Sequence, residues 1–208
     1  MKKGLIIGVL GLQGAVSEHI FALEKASRDF KVKAEVISVR KSEDLTEVSG
    51  LVLPGGESTT INRLLLETKI REKIIDMAKQ GLPILATCAG AILLAKEGDE
   101  QVEKTGTQLL ELLEIRVLRN VFGRQVDSFE ADVRIPEIGG KPFRAVFIRA
   151  PAIESVWGQT KVWANYKDKI IGAKKGNVLA LTFHPELTSD IRIHEYFIKM
   201  AVDFSRQF

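Results

Sequence analysis

Cysteine is almost absent from this chain: Cys88 is the only one in 208 residues. One thiol excludes an internal disulfide and fits a reducing compartment. Histidine is scarce too, with three residues far apart, so no metal centre of ordinary Cys/His spacing is expected. No apolar run approaches the ~20 residues that a helix needs to cross a bilayer. No block of basic residues interleaved with aromatics occurs either. The net charge of +3 is a small difference between 30 basic and 27 acidic residues spread along the chain. That distribution argues against a nucleic-acid partner. Repeats, low-complexity stretches and linkers are also lacking. With 45% hydrophobic and 27% charged residues, the expectation is one soluble, cytoplasmic domain over 1–208, partnered by neither nucleic acid nor membrane.

The opening Met1-Lys2-Lys3 and the apolar run Leu5 to Leu10 have the outline of a secretory signal. Gly8 and Gly11 interrupt the run, however, and Gln13, Glu18 and His19 follow without a small-residue cleavage site. A first buried strand is the better reading. Beyond it, Val16, Ile20, Leu23 and Ala26 form a helical stripe, and Ala34 to Val39 alternates as a strand. Gly50 to Leu53 and Pro83 to Ala86 read as further buried strands, with a helical pattern from Ile70 to Lys79 between them. Ser58, Thr59 and Thr60 are candidates to cap the helix after Pro54-Gly55-Gly56. Ile92 to Lys96 resumes a helical pattern. This alternation implies βαβ units and a parallel sheet. Later runs, at Ile115–Leu118, Phe129–Ile135, Pro142–Ile148, Lys161–Tyr166, Ile170–Ala173 and Val178–Phe183, predict additional antiparallel strands. Ile191 to Phe204 predicts a closing helix.

Three segments carry candidate chemistry. Cys88 stands between a buried strand and the small residues Ala89-Gly90 that open a helix. Such a turn presents a nucleophile at the carboxyl edge of a sheet, and a helix N-terminus favours thiolate. Alone, a lone cysteine is more often a buried structural residue; its setting reverses that balance. His184-Pro185-Glu186 follows a second apolar run. In an extended chain Glu186 projects to the same side as His184 and can orient its ring, with Pro185 stiffening the segment. Alone, His-x-Glu is weak evidence; with Cys88 it completes a nucleophile, a base and an orienter. Gly55-Gly56 allows a peptide N–H to face a ligand, and the Ala89 N–H supplies a second oxyanion donor. A plain strand-to-helix turn is the bland alternative. The spacing Gly8-x-x-Gly11-x-x-Gly14 departs from the dinucleotide fingerprint. His19 and His194, within helical patterns, read as surface or packing residues.

In this order the motifs resemble class I, triad-type glutamine amidotransferases, and within them the glutaminase subunits of pyridoxal 5'-phosphate synthases. The carrying segments are Gly8 to Val16, Leu53 to Thr60, Thr87 to Gly90, Arg119 to Asp132, Val146 to Pro151 and Phe183 to Leu187. The resemblance implies a flavodoxin-like three-layer fold and a triad of Cys88, His184 and Glu186. It puts Gly56, Glu57 and Ser58 around L-glutamine, with Arg119, Ile148 and Arg149 completing the pocket. Gln13 and Gly55 would lie at the oxyanion loop and the partner interface. It implies no cofactor and no metal, and a synthase subunit as the partner that receives ammonia. Ala86 departs from the class, which has glycine two residues before the nucleophile. Open alternatives are a glutaminase subunit of another pathway, a cysteine-centred redox relative of the same fold, and a non-catalytic regulatory subunit.

Overall fold

The computed structural model describes residues 4–119 and 128–207. Residues 120–127, the middle of the Arg119–Asp132 motif, lie outside the described residues. The chain begins with β1 (Leu5–Leu10), α1 (Val16–Asp29), β2 (Ala34–Val39) and β3 (Gly50–Leu53). It continues through α2 (Ser58–Glu67), α3 (Ile70–Lys79), β4 (Ile84–Thr87) and α4 (Ala89–Leu94). Next come β5 (Ala95–Gly98), α5 (Glu100–Lys104), β6 (Leu113–Leu118), β7 (Ser128–Val133) and β8 (Phe143–Ile148). The last elements are β9 (Ala152–Val156), β10 (Lys161–Tyr166), β11 (Lys169–Lys175), β12 (Val178–Leu181) and α6 (Arg192–Ser205).

Ten strands form one sheet in the order β2-β1-β3-β4-β12-β11-β9-β6-β5, with β10 paired to β11. The run from β2 to β12 is parallel, while β12–β11, β11–β9 and β9–β6 are antiparallel. Successive side chains of the buried strands go to opposite faces, as strand geometry requires. Ile84 and Ala86 of β4 therefore pack with α2, α3 and α4, whereas Leu85 faces α1 and α6. The sheet with helices on both faces is the expected three-layer α/β fold. A second, two-stranded sheet of β7 and β8 packs into the layer of α1 and α6.

Several expectations need correction. The expected antiparallel strands are present, but β12, antiparallel to β11, also runs parallel to β4, and β5 and β6 are parallel to each other. The helix after Cys88 ends at Leu94, and Ala95 already begins a strand. Its burial explains the change: Ala89 to Leu94 is buried all round, so it shows no amphipathic period by which to find its end. The stripe on α1 is His19, Ala22, Leu23, Ala26 and Ser27, with Val16 and Ile20 at its margin. The cap of α2 is Glu57, not a hydroxyl residue; its carboxylate accepts from Thr59 N–H at 3.4 Å.

Candidate functional site

The parallel strands β1, β3, β4 and β12 all end at one edge of the sheet, where open α/β folds bind ligands. A cleft of about 480 Å³ opens there. Cys88 follows β4 directly and has φ +48° and ψ −106°, a left-handed conformation rare for a residue with a side chain. Its N–H donates to Leu181 O at 2.8 Å, and its own carbonyl accepts from Ala91 N–H at 3.1 Å. The strand on one side and the helix on the other thus force the sharp turn. It leaves the thiol lining the cleft with Ala89 behind it.

Because β12 lies beside β4, the residues after it arrive next to Cys88. His184 N–H donates to Val146 O at 2.8 Å, which anchors the segment to β8. His184 has φ −106° and ψ 89°, and Pro185–Leu187 then forms a 3-10 turn. In a continued strand, residues two apart would sit ~6.6 Å from each other. The tighter turn brings Glu186 Oε1 to 2.7 Å from His184 Nδ1. The expected contact is therefore present, but a turn makes it rather than extended chain.

Burial by itself lowers the pKa of His184; hydrogen bonds to Cys88 and Glu186, and their charges, more than reverse it. The result is a pKa raised to about 10. Burial pushes the Glu186 carboxyl up, and His19 and His184 on either side bring it below its ordinary value. The imidazole is thus held between the Glu186 carboxylate and the sulfur of Cys88. Such an arrangement can donate a proton to a leaving group and take one back from water.

The loop after β3 closes the cleft. Gly14 has φ +105°, and a Cβ there would lie 1.9 Å from Gly55 O. That carbonyl accepts from Ala15 N–H at 3.0 Å. The Gly55–Gly56 peptide is trans, so the Gly56 N–H points away from this opening loop. A Cβ on Gly55 would sit 2.4 Å from His184 Cε1, which explains the glycine. Gln13 Oε1 accepts from Glu57 N–H at 2.8 Å and latches the two loops together. Glu57 Oε1 also pairs with Arg119 Nη2 at 3.1 Å.

Gln13, Gly56, Glu57 and Ser58 line the cleft, as do Arg119, Ile148 and Arg149. All the residues expected around a ligand are thus brought together, with Gly55 just beneath them. Arg149 also has a positive φ, +41°. Ile92 and Pro151 line the cleft as well, and only their neighbourhood to the motifs hinted at it. Of the two readings of His19 and His194, the packing one holds and the surface one does not. Both are fully buried, and His19 Nε2 lies 3.3 Å from Glu186 Oε2. Among the described residues, no group of three or more His, Cys, Asp or Glu is placed to hold a metal ion. No helix among them is long and apolar enough to cross a membrane.

The pyridoxal 5'-phosphate synthase subunit PdxT of Methanosarcina barkeri is 54% identical over 92% of this chain and 96% of its own length. The protein of the same name from Staphylothermus marinus is 47% identical, covering 94% of this chain and 98% of the relative. A solved structure described as a glutamine amidotransferase is 41% identical and superposes with a TM-score of 0.83. It covers 94% of this chain and 98% of that one. PurLQS of Thermotoga maritima, 19% identical with a TM-score of 0.63, shares the fold. The profile of the SNO glutamine amidotransferase family matches residues 9–203, and this chain belongs to that family.

Proposed function

We propose that this chain hydrolyses L-glutamine to L-glutamate and ammonia through a triad of Cys88, His184 and Glu186. The ammonia passes to a synthase subunit for pyridoxal 5'-phosphate (vitamin B6) biosynthesis. The observation that carries the triad is His184 held at 2.7 Å by Glu186 while lining one cleft with the strained Cys88. The partner is inferred from the relatives, which carry the name of a synthase subunit.

The Cys88 thiolate attacks the side-chain amide carbon and forms a tetrahedral oxyanion. Backbone N–H groups of Gly56 and Ala89 receive that charge, each worth roughly 10²–10³ in rate. His184 gives its proton to the nitrogen, the C–N bond breaks, and ammonia leaves a γ-glutamyl thioester. Neutral His184 then takes a proton from water, whose oxygen attacks the thioester carbon. Glutamate departs and the thiolate returns beside an imidazolium. At the other end of the substrate, Glu57 suits the α-ammonium, and Arg119 and Arg149 suit the α-carboxylate. Ser58 and Ile148 complete the walls. Residues 1–208 act as one glutaminase domain, and a cytoplasmic location keeps Cys88 reduced.

The test is glutamate production from L-glutamine by wild-type chain and by Cys88→Ala, each saturated with the synthase subunit. The variant is expected to be inactive while still binding the partner. Turnover near the wild-type rate would remove the nucleophile from this reading.

A further inference from the structure

The triad uses Glu186 through one oxygen, Oε1. Its other oxygen, Oε2, is buried and makes no well-aligned hydrogen bond. The imidazole of His19 stands in front of it, with Nε2 at 3.3 Å from Oε2 and at 3.1 Å from Thr87 Oγ1. The hydrogen bond of Nε2 is with Thr87 Oγ1, and its 3.3 Å approach to Oε2 is an electrostatic contact. On the far side of the ring, His19 Nδ1 lies 3.1 Å from His194 Nε2. His19, Thr87 and His194 are all fully buried. They bridge α1, β4 and α6 beneath the site.

The tautomers follow from burial. His194 Nδ1 is buried and has no hydrogen-bond partner. A bare buried lone pair is tolerated better than a bare buried N–H. His194 therefore carries its hydrogen on Nε2 and donates to His19 Nδ1. His19, accepting there, must carry its own hydrogen on Nε2, the atom that faces Glu186.

We propose that His19, with His194 behind it, is a positioning residue of this active site: its Nε2–H holds Glu186 from the side opposite His184 and so keeps the imidazole aimed at Cys88. The inference rests on the triad proposed above. Burial lowers the pKa of His19, with Glu186 and Glu18 opposing and His184 reinforcing that direction. Burial and the neighbouring His19 lower His194 to about 3, against Glu186. Both rings are thus neutral in the resting enzyme. A lysine or arginine in this place would neutralise Glu186 and weaken its grip on His184. A neutral N–H orients the carboxylate and leaves its charge available.

Asparagine and glutamine separate this role from mere core filling. Asparagine at position 19 reaches about as far as Nδ1, keeping the His194 side and losing Glu186. Glutamine reaches about as far as Nε2 and keeps a donor for Glu186. With the synthase subunit saturating, His19→Asn should lower kcat for L-glutamine by about 10-fold. That is the range seen for outer hydrogen-bond partners of metal-bound imidazoles. KM should stay unchanged. His19→Gln should recover most of the loss at a similar thermal midpoint. Wild-type kcat in His19→Asn, or equal losses in both variants, would overturn the proposal. If neither variant folds, 15N spectra of the wild-type chain decide: hydrogen on Nε2 of His19 is expected, and hydrogen on Nδ1 overturns it. Cys88→Ala, run in parallel, separates the two readings. Activity in that variant sinks the triad itself, whereas an inactive Cys88→Ala beside a fully active His19→Asn sinks only the role of His19.

Discussion

At the scale of single residues, the backbone of Cys88 already departs from what a side chain prefers. So sparsely populated a backbone conformation costs about 1–3 kcal/mol, and here β4 and α4 impose it. Removing His184 should be nearly as damaging as removing Cys88, since both proposed proton transfers pass through it; general acid–base catalysis contributes ~10²–10⁴-fold. His184→Asn with normal turnover would contradict that. Glu186→Gln should be milder and should also change the pH profile. His184 is raised to about 10, partly by Glu186, so it keeps its proton through neutral pH and loses it in alkali. Without the carboxylate its pKa falls, and the alkaline limb of kcat should move to lower pH. An unmoved limb would mean that Glu186 does not act through His184. Cys88 and His184-Pro185-Glu186 are legible in sequence because each announces itself locally, between apolar runs and small residues. His19 and His194 are not. Each occupies an apolar stripe of its own helix, and only the packing of α1 on α6 makes one the partner of the other.

The elements that shape the cleft are two loops held by backbone. The bond from Ala15 N–H to Gly55 O joins the turn after β1 to the turn after β3. Reversing the Gly55–Gly56 peptide would break that bond at little steric cost, so if the proposed partner docks against the Gln13 loop, it can select which way the Gly56 N–H points. Glutamine hydrolysis should therefore be slow in the isolated chain and faster with saturating synthase subunit. A coupling of ~1–3 kcal/mol corresponds to ~5–150-fold in rate if it acts fully on the transition state. Equal glutamate production with and without the partner would show a preformed oxyanion site. Gly14→Ala tests the joint directly. Strain at φ +105° and a Cβ 1.9 Å from Gly55 O should destabilise the chain by at least ~1 kcal/mol and depress activity. An unchanged urea midpoint would show that the loop yields. The glycines of this joint are visible in sequence, but its bonds are not. Likewise the run Val178 to Phe183 announces a strand, whereas its parallel direction beside β4 depends on pairing across the whole chain. The half-exposed strand β9 carries Glu154 and Ser155 among its few apolar residues, too little pattern to be read.

Across the whole molecule, the outer half of the sheet is tied at Glu114. This β6 carboxylate meets Lys175 of β11, Lys96 of β5 at 3.3 Å, and the Thr160 hydroxyl at 2.6 Å. Burial raises its pKa, and the bonds from Lys175, Thr160 and Lys96 more than reverse that, bringing it to about 2. A carboxyl depressed from 4.5 in the folded state stabilises fully above that value, and its contribution is lost as pH falls towards about 2. Glu114→Gln should flatten the acid side of the stability curve in that window, as urea midpoints would register. A curve identical to wild type would remove Glu114 from that role. The position of β12 bears on time as much as on space. It follows every other strand of the described chain, yet it takes the middle of the sheet between β4 and β11. A ribosome therefore delivers Cys88 long before the strand that brings His184 beside it, and pairing of such distant segments is slow to form. On the proposed triad, a nascent chain that has emerged only as far as β11 holds a thiol without its histidine and should consume no glutamine.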